Sequence, residues 1–414
     1  MSASLNGVSL TSVRERDQKD PLANFKRRFA LPEGVLYLDG NSLGAQPSTV
    51  KQAVDDTLNQ WRDELIKGWN QGWFDAPERL GNLLAPVIGA QSGEVCVTDN
   101  ITLNIFKLLG YILGQCQDDR RAVLSEGGNF PTDGYIAQGF CRVSGTEHRF
   151  LPEGANLAEH LEGVAVVVLS QVNYRTGKLR DMAETTKLVH AHGAEVIWDL
   201  AHSAGALPID LNGSGARYAV GCTYKYLNGG PGAPAFLYVH RDYQDGGWQP
   251  LSGWHGHTSP FAFDANYTPA GDISRFRTGT HSALIYSALE ASLTMWAEVD
   301  MQALREKSLA MSDLFRECLS DLFDSHGIKD ITPAASERGS QVSLIDKQNG
   351  YAIVQALIAR GVIGDYREPG LMRFGFTPLY LSFEDVWQAA KHFREVVESG
   401  EYQDAQFHVR GAVT

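Results

Sequence analysis

Cysteine is scarce in this chain of 414 residues. There are five, Cys96, Cys116, Cys141, Cys222 and Cys318, and no two stand in CxxC spacing. An odd number without that spacing argues against a disulfide framework and a zinc site, and for a reducing, cytoplasmic setting. Long apolar runs are missing as well. None approaches the ~20 residues that cross a bilayer, so no membrane partner is expected. The N-terminus has no signal-like apolar core, since Arg14, Glu15, Arg16 and Asp17 come early. Basic residues are outnumbered, 36 against 49 acidic ones, for a formal net charge of −13. Such a surface repels phosphate backbones, so nucleic acid is not an expected partner. Metal sites find little support. His255-Gly256-His257 has no third ligand in register, and His190 and His192 point to different faces of a predicted helix. No GxGxxG follows the early strands, and Gly127-Gly128 reads as a turn rather than a dinucleotide loop.

What is present is ordinary globular composition, with 43% hydrophobic and 21% charged residues. The length suits one large domain and a smaller one. Leu36-Tyr37-Leu38-Asp39 reads as a short strand entering the turn-rich Gly40-Asn41-Ser42-Leu43-Gly44. A helix follows from about Ser48, with Val50, Val54, Leu58, Trp61 and Leu65 at spacings of three and four. Strands are expected at Val95–Val97, 122–125, Val164–Ser170, Glu195–Asp199, 219–223 and 235–240. Between them, 181–192 carries helix signals: Asp181 as cap, Glu184 three residues on, Gly193 as stop. Strands alternating with helices predict an α/β fold, a parallel or mixed sheet covered on both faces. Ligands on such sheets bind beyond the carboxyl ends of strands. From Ala283 the pattern becomes a long helical stretch to 323. A strand at Gln341–Ile345, a helix at 351–360, a strand at 371–376 and a helix opened by Ser382 and Asp385 complete a smaller α/β unit.

The chemistry concentrates at 194–225. One apolar strand ends in Asp199, within Trp198-Asp199-Leu200-Ala201-His202. A second leads to Tyr224-Lys225-Tyr226, with Lys225 26 residues after Asp199. Pyridoxal phosphate requires a lysine for a Schiff base, an acid on its pyridinium nitrogen, donors for its phosphate and a planar group on its ring. Lys225 and Asp199 fit the first two needs. Singly, a lysine is most often a solvated surface group and a strand-end aspartate a turn residue. A lysine framed by two tyrosines after a buried strand, before Asn228-Gly229-Gly230-Pro231-Gly232, is a poor design for a solvated surface and favours the cofactor.

With those residues in place, Asp199-Leu200-Ala201-His202 and Tyr224-Lys225-Tyr226-Leu227-Asn228 resemble the class V branch of fold-type I pyridoxal phosphate enzymes. Within that branch the chain resembles the kynureninases. The matching pieces also include 38–44, Asn129-Phe130-Pro131-Thr132-Asp133, Gly253-Trp254-His255-Gly256-His257 and Arg373-Phe374. The resemblance implies a mostly parallel central sheet covered by helices, with a smaller C-terminal α/β domain. It implies residues 1–50 as a segment packing on the small domain, 51–285 as the large cofactor-binding domain and 286–414 as the small domain. The implied activity is hydrolysis of L-kynurenine to anthranilate and L-alanine in tryptophan catabolism and NAD biosynthesis, by a cytoplasmic homodimer.

The resemblance also implies roles. Lys225, Tyr224 and Asp199 would be catalytic. Phe130 would stack on the ring and Asp133 would bond near its substituents. Ile101 and Thr102, at a predicted helix start, would bind the phosphate. Ser170 and His202 would flank the cofactor, and Tyr224 would bond the phosphate and relay a proton. Trp254 and Thr280 would reach the phosphate from a neighbouring subunit. Arg373 would clamp the substrate α-carboxylate with its planar fork. Asn41, Trp69 and Gly279 would line the substrate. Trp69 stands where the animal form has a histidine, and Gly279 and Thr280 where it has a serine and an asparagine. A site without a partner for an added hydroxyl gains nothing from it, so kynurenine is expected over 3-hydroxykynurenine. Each residue alone has an ordinary reading: Phe130, His202 or Trp69 as core, Thr102 as a helix start, Tyr224 as a sheet tyrosine, Trp254 as a buried anchor, Arg373 as a salt-bridge arginine. The rival activities are a cysteine desulfurase, an aminotransferase, or a non-catalytic protein of the same fold. A desulfurase needs a cysteine on a mobile loop of the second half, and Cys318 sits among apolar residues at helical spacing.

Overall fold

The computed structural model describes residues 4–116 and 120–411. Its centre is a seven-stranded sheet of β1 (Val95–Val97), β2 (Ala122–Glu126), β3 (His148–Leu151), β4 (Val164–Ser170), β5 (Glu195–Asp199), β6 (Tyr218–Gly221) and β7 (Phe236–Val239). The spatial order is β1-β7-β6-β5-β4-β2-β3. Neighbours from β6 to β3 run parallel, and β7 runs antiparallel to both β6 and β1. Burial of all seven residues of β4, Val-Ala-Val-Val-Val-Leu-Ser, marks it as a central strand with both faces covered. The α/β class and the mostly parallel sheet agree with expectation.

The helices that cover the sheet explain its burial. Helix α4 (Ile101–Leu113) is apolar nearly all round and packs Ile105, Leu108, Leu109 and Ile112 under the sheet. Helix α6 (Met182–Ala191) begins as the sequence predicts, with the Asp181 side chain accepting from Glu184 N–H. The long helical stretch from Ala283 is two helices, not one. Helix α7 (Ala283–Trp296) ends, and α8 (Met301–His326) restarts where Asp300 accepts from the N–H groups of Gln302 and Ala303 at 2.9 and 3.1 Å. The unexpected helix α5 (Pro131–Ser144) starts directly after Phe130, with Pro131 in its first turn.

A second sheet is wholly antiparallel. It comprises β8 (Lys329–Asp330), β9 (Gln341–Ile345), β10 (Asp365–Arg367) and β11 (Leu371–Gly375), in the order β8-β9-β11-β10. Helix α10 (Phe383–Ser399) opens with a capping box of Ser382 and Asp385. The N-terminal segment lies against this region. Leu36–Tyr37 pairs in parallel with Val362–Ile363. The Lys307 ammonium meets buried Asp20 at 2.7 Å, and Arg14 pairs with Glu384.

Candidate active site

The carboxyl ends of β5 and β6 open into a cavity of about 220 Å³, while Ser170, at the end of β4, lines a different hollow. Eight expected residues line it: Ile101, Thr102, Phe130, Asp133, Asp199, His202, Tyr224 and Lys225. They come from different elements. Asp199 is the last residue of β5. Tyr224 and Lys225 follow β6, and the left-handed Asn228 (φ 61°) then turns the chain away. Phe130 sits at the start of α5 and Ile101 at the start of α4, so two helix N-termini face the cavity. The positive ends and free N–H groups of such termini suit an anion. Thr102 Oγ1 lies 3.3 Å from Thr132 Oγ1 across that mouth.

Lys225 Nζ is 3.0 Å from His202 Nε2 and about 6.0 Å from the centres of the Phe130 and Tyr224 rings. His202 is buried, and burial followed by the Lys225 charge holds its imidazole well below the usual range. With Nε2 turned to the lysine, the neutral ring carries its proton on Nδ1, which is buried without a partner. Asp199 accepts from Ala201 N–H at 2.8 Å, and its other oxygen lies 3.3 Å from Ser170 Oγ. Burial pushes its carboxyl up, and the charge of Lys225 opposes that shift. Asp133 is pushed well above the ordinary range by burial and then by the charge of Asp199. Burial also raises the Tyr224 phenol, which therefore stays protonated.

Sequence reasoning overlooked Asn129. It donates to Asp133 Oδ2 at 2.8 Å and accepts from Ser170 Oγ at 2.7 Å, and so links Asp133 to the serine that neighbours Asp199. The spacing of Asn129 and Asp133 across a helix start was the available signal. Tyr174 was overlooked too. Its ring meets the Phe130 ring edge-on at 5.4 Å, and its carbonyl accepts from Arg373 Nη1 at 2.8 Å. Tyr174 thus connects the cavity to Arg373, which lies buried in β11.

Other expected residues are not gathered at this cavity within one chain. Asn41 is buried beside Gly375, with both side-chain polar atoms unpartnered. Gly279 and Thr280 border a separate hollow of about 260 Å³ with Asp99 and Tyr286. Trp69 packs against Trp73, His281 and His255, and Trp254 against His255, Phe74 and Phe261. A wider hollow of about 410 Å³ opens behind Ser170, but its Arg180 and Glu126 already neutralise each other. No group of three metal-ligating side chains occurs among the described residues. No helix among them is long and apolar enough to cross a membrane.

The groups around Lys225 fit pyridoxal phosphate on their own chemistry. They supply a lysine, a buried acid, an unsatisfied imidazole donor, an aromatic ring and anion-binding helix starts in one cavity. The fold has the same company. The chain superposes on the cysteine desulfurase CsdA from Escherichia coli with a TM-score of 0.75 at 17% identity, covering 91% of this chain and 98% of that one. It superposes on a C-DES mutant with glycine covalently linked to its PLP cofactor at a TM-score of 0.77 and 21% identity, over 89% and 98%. The fold and site together define a fold-type I pyridoxal phosphate enzyme.

Sequence comparison narrows the class. A kynureninase from Burkholderia pseudomallei (strain K96243) is 48% identical over 96% of this chain and 98% of its own length. One from Pseudomonas fluorescens is 47% identical over the same shares. Residues 304–393 match the kynureninase C-terminal domain model. The chain belongs to the kynureninase family. Cys318 agrees in excluding the desulfurase reading: it is wholly buried in α8, and burial pushes its thiol up to about 12.

Proposed function

We propose that this chain hydrolyses L-kynurenine to anthranilate and L-alanine with pyridoxal phosphate carried on Lys225. The observation that carries the proposal is the cavity in which Lys225, Asp199, His202 and Phe130 converge. The identity to named kynureninases supports the substrate. When bound, pyridoxal phosphate supplies an electron sink for negative charge at the carbons of an amino acid. Asp199 would pair with a protonated ring nitrogen, whose charge would oppose the upward push of burial on the carboxyl. Phe130 would lie against the ring. Ile101 and Thr102 would receive the phosphate at the start of α4. His202 would bond the phenolic oxygen or the phosphate.

The Lys225 amine would take the α-proton of the bound amino acid and redeliver it. Tyr224 supplies or relays a proton, a role suited to a phenol held in its neutral form. Arg373 takes the α-carboxylate. Water adds its oxygen to the side-chain carbonyl carbon. The Cβ–Cγ bond then breaks, the acyl part leaves as anthranilate, and the remaining three carbons gain a proton and leave as alanine. The place of this reaction is tryptophan catabolism, with a link to NAD biosynthesis, in the cytoplasm.

The working unit is a homodimer. Leu65, Ile66, Phe261 and Phe263 are 63%, 77%, 63% and 82% exposed, and contact with a second copy would take such large apolar side chains out of water. In that dimer Trp254 and Thr280 complete the phosphate site of the partner, and Trp69 and Gly279 line its substrate with Asn41. The test is borohydride reduction of the holoenzyme followed by peptide mass analysis. Pyridoxyl mass on Lys225, and loss of both label and turnover in Lys225→Ala, is the expected result. Label on another lysine, or full activity of the variant, overturns the proposal.

A further inference from the structure

We propose that Asp365 is a positioning residue that aims Arg373 at the substrate α-carboxylate. The proposal rests on the reading of Arg373 as that clamp. The two residues are directly opposite each other in the antiparallel pairing of β10 with β11. Both are buried, at 0% and 2% exposure. Arg373 Nε donates to Asp365 Oδ1 at 2.7 Å, and Nη2 donates to Asp365 Oδ2. The carboxylate thus takes the side edge of the guanidinium and leaves its end, Nη1 and Nη2, pointing elsewhere.

Counting protons at that end shows what it can accept. One Nη1 proton goes to the Tyr174 carbonyl at 2.8 Å, and the second Nη2 proton to Ser42 Oγ at 3.3 Å. A guanidinium has five N–H groups, so one Nη1 proton is left. A carboxylate arriving end-on takes that proton and displaces only the long Ser42 contact. Ser42 loses little, because its hydroxyl donates to Asp365 Oδ2 at 2.8 Å. Tyr174 ties the clamp to Phe130, so the end of the fork is held next to the ring-stacking wall.

Charge and geometry predict opposite signs for the loss of Asp365. Removing a negative charge from beside Arg373 strengthens its attraction for an anion. Removing the side-edge bonds frees a buried guanidinium to turn toward its other acceptors. The bidentate, charge-assisted bonds are the larger effect in a dry site, so weaker carboxylate binding is expected. Asp365 is ionised, as a bidentate acceptor must be. Burial pushes its carboxyl up, but the hydrogen bonds and charge of Arg373, joined by the charge of Arg367 at 2.9 Å and the Ser42 hydrogen bond, outweigh that and hold it below its usual range.

The test compares Asp365→Asn holoenzyme with the parent on two ligands, L-kynurenine and its decarboxylated amine analogue as a competitive inhibitor. Expected are a KM for kynurenine raised about ten- to hundredfold, a kcat within about threefold, and an unchanged Ki for the amine. Tighter or unchanged kynurenine binding overturns the proposal, as does equal weakening of both ligands, which marks general damage. If Asp365→Asn does not fold, Asp365→Glu keeps the charge, shifts the guanidinium by one methylene and reads the same two constants. Arg373→Gln separates the two claims. If it weakens kynurenine but not the amine while the Asp365 variants do neither, only the positioning claim fails. If it too weakens both ligands alike, the clamp reading itself fails.

Discussion

Replacing Lys107 by methionine removes a buried cation from between two parts of the site. Lys107 is wholly buried in α4 and reaches the Asp99 carboxylate, the Phe276 carbonyl at 2.6 Å and Asn104 Oδ1 at 3.3 Å. Asp99 stands at φ 48° two residues before the start of α4, and Thr278 Oγ1 lies 3.2 Å from its Oδ1. One lysine therefore ties the helix start carrying Ile101 and Thr102 to the segment that continues into Gly279 and Thr280. Methionine fills most of the volume but leaves the partly buried Asp99 carboxylate without its cation and the Phe276 carbonyl without its donor. Breaking such a pair costs about 3–5 kcal/mol, and the 20% exposure of the Asp99 side chain places the loss near the lower figure. At that cost the melting temperature of a 414-residue chain should fall by roughly 3–4 °C. The affinity for pyridoxal phosphate should fall with it, since the left-handed turn at Asp99 loses its clamp. The assay is thermal unfolding of cofactor-free and cofactor-saturated protein, with absorbance titration of the cofactor. The double variant Lys107→Met, Asp99→Asn should regain a large part of the loss, because no charge is then stranded. A single variant as stable as the parent, or a double variant no better than the single, refutes the reasoning.

Acid should destabilise the protein through two histidines. Burial pushes His255 and His281 each down to about 4, so the folded chain keeps them neutral. The unfolded chain protonates them near pH 6.5, so it binds more protons between pH 6.5 and about 4 and stability falls across that window. Each contributes on the order of 1 kcal/mol per pH unit at most, and His255→Asn should flatten the slope; an unchanged slope contradicts this. Substrate choice should follow Trp69, Gly279 and Thr280. Exchanging them for His, Ser and Asn should raise the ratio of kcat/KM for 3-hydroxykynurenine over kynurenine by about tenfold or more, since added donors can now pair the extra hydroxyl. An unmoved ratio would show that these positions do not set the preference.

Strands and caps were the legible part of this fold, because their signals are local. The run 164–169 reads as buried from its apolar content, and Asp181 and Ser382 announce helices they do begin. The break between α7 and α8 was missed because 283–323 keeps a helical apolar rhythm through the turn. Only Asp300, a cap hidden among good helix formers, marks it. Strand β3, His-Arg-Phe-Leu, sits at a sheet edge where three of its four residues keep contact with solvent, so it carries no apolar run. The site divides the same way. Asp199 and Lys225 were readable because the first ends one apolar strand and the second closely follows the next. Asp365 lies eight residues before Arg373, across a Glu-Pro-Gly turn, and its role appears only when β10 and β11 pair. The Arg373 contact to Tyr174 spans 199 residues, so no local pattern encodes it.

The most direct measurement is product analysis of the purified holoenzyme. Incubated with L-kynurenine, it should release anthranilate, seen by its fluorescence, and L-alanine in equal amounts, with no sulfide from L-cysteine. Absence of anthranilate, alanine out of step with it, or sulfide in place of both would contradict the account.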